Sequence, residues 1–155
     1  MSDILTTILN NTYTLTQLKH RVLVLKSYLE QQFFMTDKAQ TQPDLWIKTL
    51  PTDFLTKFNK DNLSSIFQGL EEEIQKIQAL TLYLTFDPDE TTIMSIGEFV
   101  RRTFGSLILL DIKYNPNLIA GAAIVWKGIY KDYSLRSKIE QKKPEVLQSF
   151  KQFLR

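Results

Sequence analysis

The residues able to do chemistry in this chain are few and poorly grouped. His20 is the single histidine, and no serine stands in the Gly-x-Ser-x-Gly setting that a Ser-His-Asp relay would use. It reads as an ordinary surface or core histidine. Glu71, Glu72 and Glu73 supply three carboxylates in a row, but consecutive helix residues point in different directions and no histidine is near, so they form a solvated face, not a metal site. Asp87, Asp89 and Glu90 suit the start of a helix better than a general acid and base pair. Gly121 and Gly128 bracket "AAIVWK", yet no Lys-Ser/Thr pair follows, and the stretch reads as strand where a phosphate loop must open a helix. No catalytic residue, metal site or cofactor is expected.

Composition points the same way. Nineteen basic and seventeen acidic side chains leave a net charge of +2, spread without long blocks, so the electrostatic footprint of a nucleic-acid binder is missing. Cysteine is absent, which removes disulfides, thiolate metal sites and a cysteine nucleophile, and fits a reducing cytoplasm. "MSDILTTILNNTY" carries an acid where an export signal would be basic. The longest apolar run, Leu118 to Trp126, falls short of the roughly 20 residues of a membrane-spanning helix. Phe33, Phe54, Phe58, Phe67, Phe99 and Phe104 lie on or beside helix stripes without basic residues regularly between them, which suits core packing better than base stacking.

The elements that must position these residues divide the chain into two parts. Leu15, Leu18, Val22, Leu25, Leu29 and Phe33 recur at steps of three and four, one stripe of a helix over Thr14 to Phe34. A shorter helix on Ile4, Leu5, Ile8 and Leu9 precedes it, with "NNT" as the break. "TDKAQTQP" reads as a loop, and short helices follow between Leu45 and Phe58. Asn62 or Asp61 is placed to cap a helix carrying Leu63, Ile66, Phe67, Leu70, Ile74 and Ile77.

Near residue 80 the period changes to two. "TLYLTF" sets Leu82, Leu84 and Phe86 on one face of a strand. Asp87 as cap, Pro88 at the first position and Glu90 three residues on predict the next helix, with Ile93, Ile96, Val100 and Phe104 as its stripe and Gly105 as its stop. A strand holding Ile108, Leu110, Ile112 and Tyr114 follows, and a second, Leu118 to Lys127, can return antiparallel to it after the Asn115-Pro116-Asn117 turn. The small residues Ala120, Gly121, Ala122 and Ala123 let a neighbouring backbone approach closely. Gly128 turns into a third short strand, a helix capped by Asp132 or Ser134 comes next, and Pro144 opens a last helix bearing Val146, Leu147, Phe150, Phe153 and Leu154. The expected class is α+β: an all-helical bundle over residues 1–78, then a small α/β domain over 79–155 (strand-helix-strand-strand-strand-helix) with a C-terminal helix.

The second part resembles the delta subunit of F-type ATP synthase, the oligomycin-sensitivity-conferring protein family. In that family a strand, a helix and a strand lead into a Leu-Ile-Gly-Gly segment, then a Gly and an Asp-x-Ser before a helix. Here "YNPNLIAGAAIVWKGIYKDYSLRSKIE" matches it at Leu118, Ile119, Gly121, Gly128, Asp132 and Ser134, with Ala120 in place of a usual glycine. The match covers roughly Leu80 to Glu140.

The resemblance implies a stator component that does no bond chemistry and needs no cofactor. Its helical domain would meet the N-terminal segments of the alpha subunits, for which Leu5, Ile8 and Leu9 are the expected contacts. Its C-terminal domain would hold the b-subunit stalk through Leu147, Phe150, Phe153 and Leu154. The place implied is peripheral, on the cytoplasmic face of the cell membrane, through the complex only. Two other readings stay open: an E-type stalk subunit of a V/A-type ATPase, although "TQPDLWIKTLP" interrupts the long charged first helix of such proteins, and an RNA-binding α+β module using Lys113, Lys127, Lys131 and Arg136.

Overall fold

A computed structural model describes residues 2–34 and 43–153; most of the expected loop "TDKAQTQP" lies outside them. Helix α1 (Asp3–Leu9) starts where the Ser2 hydroxyl accepts the Leu5 amide, and α2 (Leu15–Phe34) starts at Thr14, whose hydroxyl accepts the Gln17 amide. The expected stripe of α2 is its inner face, with Leu18, Val22, Leu25 and Leu29 buried. Between them Asn11 takes a left-handed conformation at φ 61, which a short polar side chain tolerates. A four-residue helix α3 (Leu45–Lys48) and a 3-10 turn at Leu55–Lys57 supply the short elements before α4 (Leu63–Gln75).

The start of α4 differs from expectation. Asn62 makes no side-chain cap; the Asn59 side-chain oxygen instead accepts the amides of Asp61 and Asn62, so the unpaired donors are met one turn earlier. Leu5, Ile8, Leu18, Leu25, Phe54 and Phe67 build a first apolar cluster. In it the Phe58 ring meets Phe54 edge-on at 5.5 Å and stacks with Phe67 at 6.0 Å.

The α+β class is found as expected: a four-stranded mixed sheet follows the helices, with strand order β2-β1-β3-β4. Strand β1 (Ala79–Leu84) buries Leu80, Leu82 and Leu84 on one face. Phe86, placed on that face by sequence period, lies beyond the strand end and is exposed. Helix α5 (Glu90–Phe104) begins two residues later than expected, because Asp89, not Asp87, is the cap: its carboxylate accepts the Thr92 amide at 2.8 Å and the Thr91 hydroxyl at 3.0 Å. These bonds, the Thr92 ones first, hold its pKa below the usual aspartate value. Val100 is buried, while Phe104 at the helix end stays partly exposed, edge-on to Trp126 at 5.6 Å.

Helix α5 is the crossover that makes β2 (Leu109–Tyr114) parallel to β1. Strand β3 (Ala122–Trp126) then pairs antiparallel with β1, not with β2 as the sequence suggested. The outer edge of β2 is already occupied, since Thr14 bridges to Leu110 and the Leu110 amide donates to the Tyr13 carbonyl at 2.8 Å. β3 takes the second edge of β1. The strand is also shorter than expected, because Pro116–Leu118 form a 3-10 turn and Ile119 and Gly121 take positive φ. β4 (Ile129–Asp132) follows a two-residue hairpin at Lys127 and Gly128, with φ of 49 and 79, the mirror-image turn that suits strand twist.

The two helices expected after Ser134 are one, α6 (Leu135–Phe153), with Pro144 inside it. Proline removes one helix hydrogen bond and crowds the carbonyl four residues back. Every residue from Lys138 to Lys151 is exposed, so water can take the carbonyl of Glu140.

A second cluster joins Leu80, Leu82, Leu84, Val100, Ile108 and Leu110. Leu109, one residue along the same strand, points the other way into the first cluster and is fully buried. Leu109→Ala is expected to destabilise the protein by about 3 kcal/mol, lowering the urea midpoint of the helical signal and of Trp126 emission together.

Candidate partner-binding surfaces

Leu118, Gly121, Asp132 and Ser134 of the family motif meet at the base of α6. Leu118 is buried in the 3-10 turn. Gly121 has φ +91, and a Cβ there would stand 3.0 Å from the Tyr133 carbonyl oxygen and 3.2 Å from Ser134 Cα. The backbone passing so close is pinned on both sides: the Tyr133 amide donates to Ala122 O at 2.9 Å and the Leu135 amide to Ala120 O at 2.8 Å. The cluster of small residues thus admits the chain that enters α6.

Asp132 and Ser134 complete this clasp. The Asp132 carboxylate accepts the Ser134 amide at 2.8 Å, and Ser134 Oγ accepts the Ser137 amide at 3.3 Å, capping the helix. Hydrogen bonds from the Ser134 hydroxyl and then its amide hold the Asp132 pKa below the usual aspartate value. Gly128 belongs elsewhere, at the far end of the β3–β4 hairpin, where a Cβ would meet nothing.

From this base α6 runs out with an uncovered apolar face. Leu135, Ile139, Val146 and Phe150 share one side at helical spacing, Leu147 flanks them, and Phe150 is 64% exposed. Lys142 and Lys143 border the stripe. Phe153 is the last residue of α6, but its side chain, like Leu154, lies outside the described residues. Phe99 of α5 and Ile129 of β4, the latter paired with Trp126, are exposed as well.

The helical part corrects an expectation. Leu5 and Ile8 are 0% exposed and Leu9 is 5% exposed, so these side chains cannot reach a partner while α1 is packed. An apolar stripe on a seven-residue helix is just large enough to fill its own core contact. What α1 leaves at the surface is a shallow groove shared with α3, lined by Thr7, Asn10, Leu45, Trp46 and Leu50. Leu45 is 78% exposed, and the Arg21 guanidinium sits 5.2 Å over the Trp46 ring.

The remaining candidates for chemistry find structural places. His20 is exposed on α2 and lines a groove with Arg21, Asp87 and Glu90. Glu73 is more than a solvated carboxylate: it accepts the Ser2 amide at 2.9 Å and the Ser2 hydroxyl at 2.8 Å, which lowers its pKa and ties α1 to α4. Among the described residues no group of His, Cys, Asp or Glu could hold a metal ion, and no helix is long and apolar enough to cross a membrane.

An ATP synthase subunit delta from Persephonella marina is 29% identical over 93 residues, which cover 57% of this chain and 51% of that protein. The chain is similar to an ATP synthase delta subunit. It spans about half the length of this curated relative. No family model and no solved structure matches it.

The motif residues yield two predictions. Gly128→Ala costs about 1 kcal/mol for its left-handed backbone alone, whereas Gly121→Ala costs clearly more, because its Cβ must also displace the Tyr133–Ser134 backbone; paired thermal melts of the two variants check the order. In Ser134→Ala, NMR titration of Asp132 should show its pKa moving up toward the ordinary range. A carboxylate whose pKa is depressed by folding stabilises fully above its unfolded pKa and ceases to do so as pH falls through the folded one. The pH dependence of stability on the acid side should therefore flatten in this variant.

Proposed function

We propose that this protein is a non-catalytic stator subunit of an F-type ATP synthase, linking the catalytic head to the membrane sector through the b-subunit stalk. The observation that carries the reading is the similarity to an ATP synthase subunit delta, and the uncovered apolar face of α6 supports it. In this role residues 1–78 serve the head and residues 79–155 serve the stalk. The partner on α6 is an apolar helix with acidic flanks, chosen by the stripe from Leu135 to Phe150 and by Lys142 and Lys143 beside it.

On the head side the contact passes from the buried stripe of α1 to the groove beside it, where Trp46 and Leu45 receive an N-terminal segment of an alpha subunit. The protein then holds the head against co-rotation with the central shaft, so that proton-driven rotation is used for ATP synthesis. It contributes binding strength and stiffness, and no bond is made or broken on it. Its place is peripheral, on the cytoplasmic face of the cell membrane, held there through the complex.

Tagged protein purified from membranes in mild detergent should bring down head and stalk subunits in near-equal amounts; recovery of the protein alone, or with RNA, would overturn the reading. Leu147→Asp combined with Phe150→Asp should weaken stalk binding at least about tenfold and leave the melting temperature unchanged, since both residues are exposed.

A further inference from the structure

In chain order the helices α1 to α4 and the sheet with α5 are connected once, through the residues between α4 and β1. A single chain crossing leaves two packed bodies free to swing about it. Three contacts between other elements oppose that motion. Leu109 of β2 is packed in the cluster of the helices. Tyr13 and Thr14 lie along the outer edge of β2, with the Leu110 amide bonded to the Tyr13 carbonyl. Arg101 of α5 donates through Nη2 to the carbonyls of Leu9, at 3.2 Å, and Thr12.

The third contact is built around the Tyr13 ring. Its Cδ1 lies 2.5 Å from where a Cβ on Gly97 would stand, so only glycine at that position of α5 lets the ring settle on the helix backbone. One helical turn later the Arg101 guanidinium covers the ring at 4.9 Å from its centre. Ring, glycine and arginine thus clamp the α1–α2 linker onto α5. Gln17 closes the arrangement from the other side, accepting the Tyr13 amide at 3.1 Å.

We infer that the Tyr13–Gly97–Arg101 clamp is a lock that makes the helical bundle and the sheet one rigid body and abolishes the hinge that the chain crossing would otherwise form. The lock is a property of the isolated chain and does not rest on the function proposed above. In a stator it is the part that carries lateral force from one binding surface to the other.

The absence of cysteine makes the test direct. Spin labels on Lys60→Cys and Lys131→Cys, both exposed and one on each body, report the distance between bodies by pulsed electron paramagnetic resonance, and calorimetry reports whether they unfold together. The locked protein gives one narrow distance and one unfolding transition. Gly97→Ala expels the ring while favouring helix in α5, so it should broaden the distance distribution and split the transition; Tyr13→Ala should do the same. A broad distribution or two transitions in the parent protein overturns the inference, and so does a distribution that stays narrow in Gly97→Ala. The measurement needs no ATP synthase subunit, so its outcome is independent of co-purification.

Discussion

The structure depends on the double pairing of β1. Both backbone edges of this strand are occupied, parallel to β2 on one side and antiparallel to β3 on the other, and its leucines at alternate positions hold α5 against the sheet. Once β1 is central, the rest of the order follows. The parallel neighbour requires a helical crossover, the linker before α2 bridges the outer edge of β2 at Leu110, and the hairpin of β3 and β4 joins the other edge of β1. The edge strand β4 is only four residues long and carries Lys131, two features that discourage edge-to-edge association.

The base of α6 turns that sheet order into a surface. Because β3 pairs antiparallel with β4, its first residues meet the chain leaving β4, and Gly121 allows the backbone of Tyr133 and Ser134 to pass within contact distance. The Ser134 side chain, fully buried, then starts α6 at a set point and direction. Backbone contacts hold the base, while every residue of the helix from Lys138 to Lys151 is exposed. The helix is therefore fixed at one end and exposes apolar side chains along one side.

Much of this could be read from residue order. The stripes of α2 and α4, the alternation in β1 and the glycine turn before β4 were legible because each depends on local backbone geometry and side-chain period. Thr14 and Gln17, whose hydrogen bonds open α2, form a Ser/Thr-x-x-Glu/Gln pattern that local reading could also have found. Local reading failed where two residues competed for one task. Asp87 and Asp89 are both suitable caps, and the choice fell on the one whose carboxylate meets two donors. Pro144 marked a helix boundary by propensity, yet an exposed helix accommodates it.

The sequence by itself determined the α+β class, the positions of most elements and the small-residue motif that resembles a delta subunit, since these follow from spacing along the chain. Only the tertiary structure decided which apolar faces are interior. The stripe of α1, Leu5, Ile8 and Leu9, and the stripe of α6, with Val146 and Phe150, are equivalent as patterns, but the first is buried and the second is open to solvent. Periodicity states that a face is apolar; whether it is covered depends on where the other elements lie, and strand pairing between distant residues sets that.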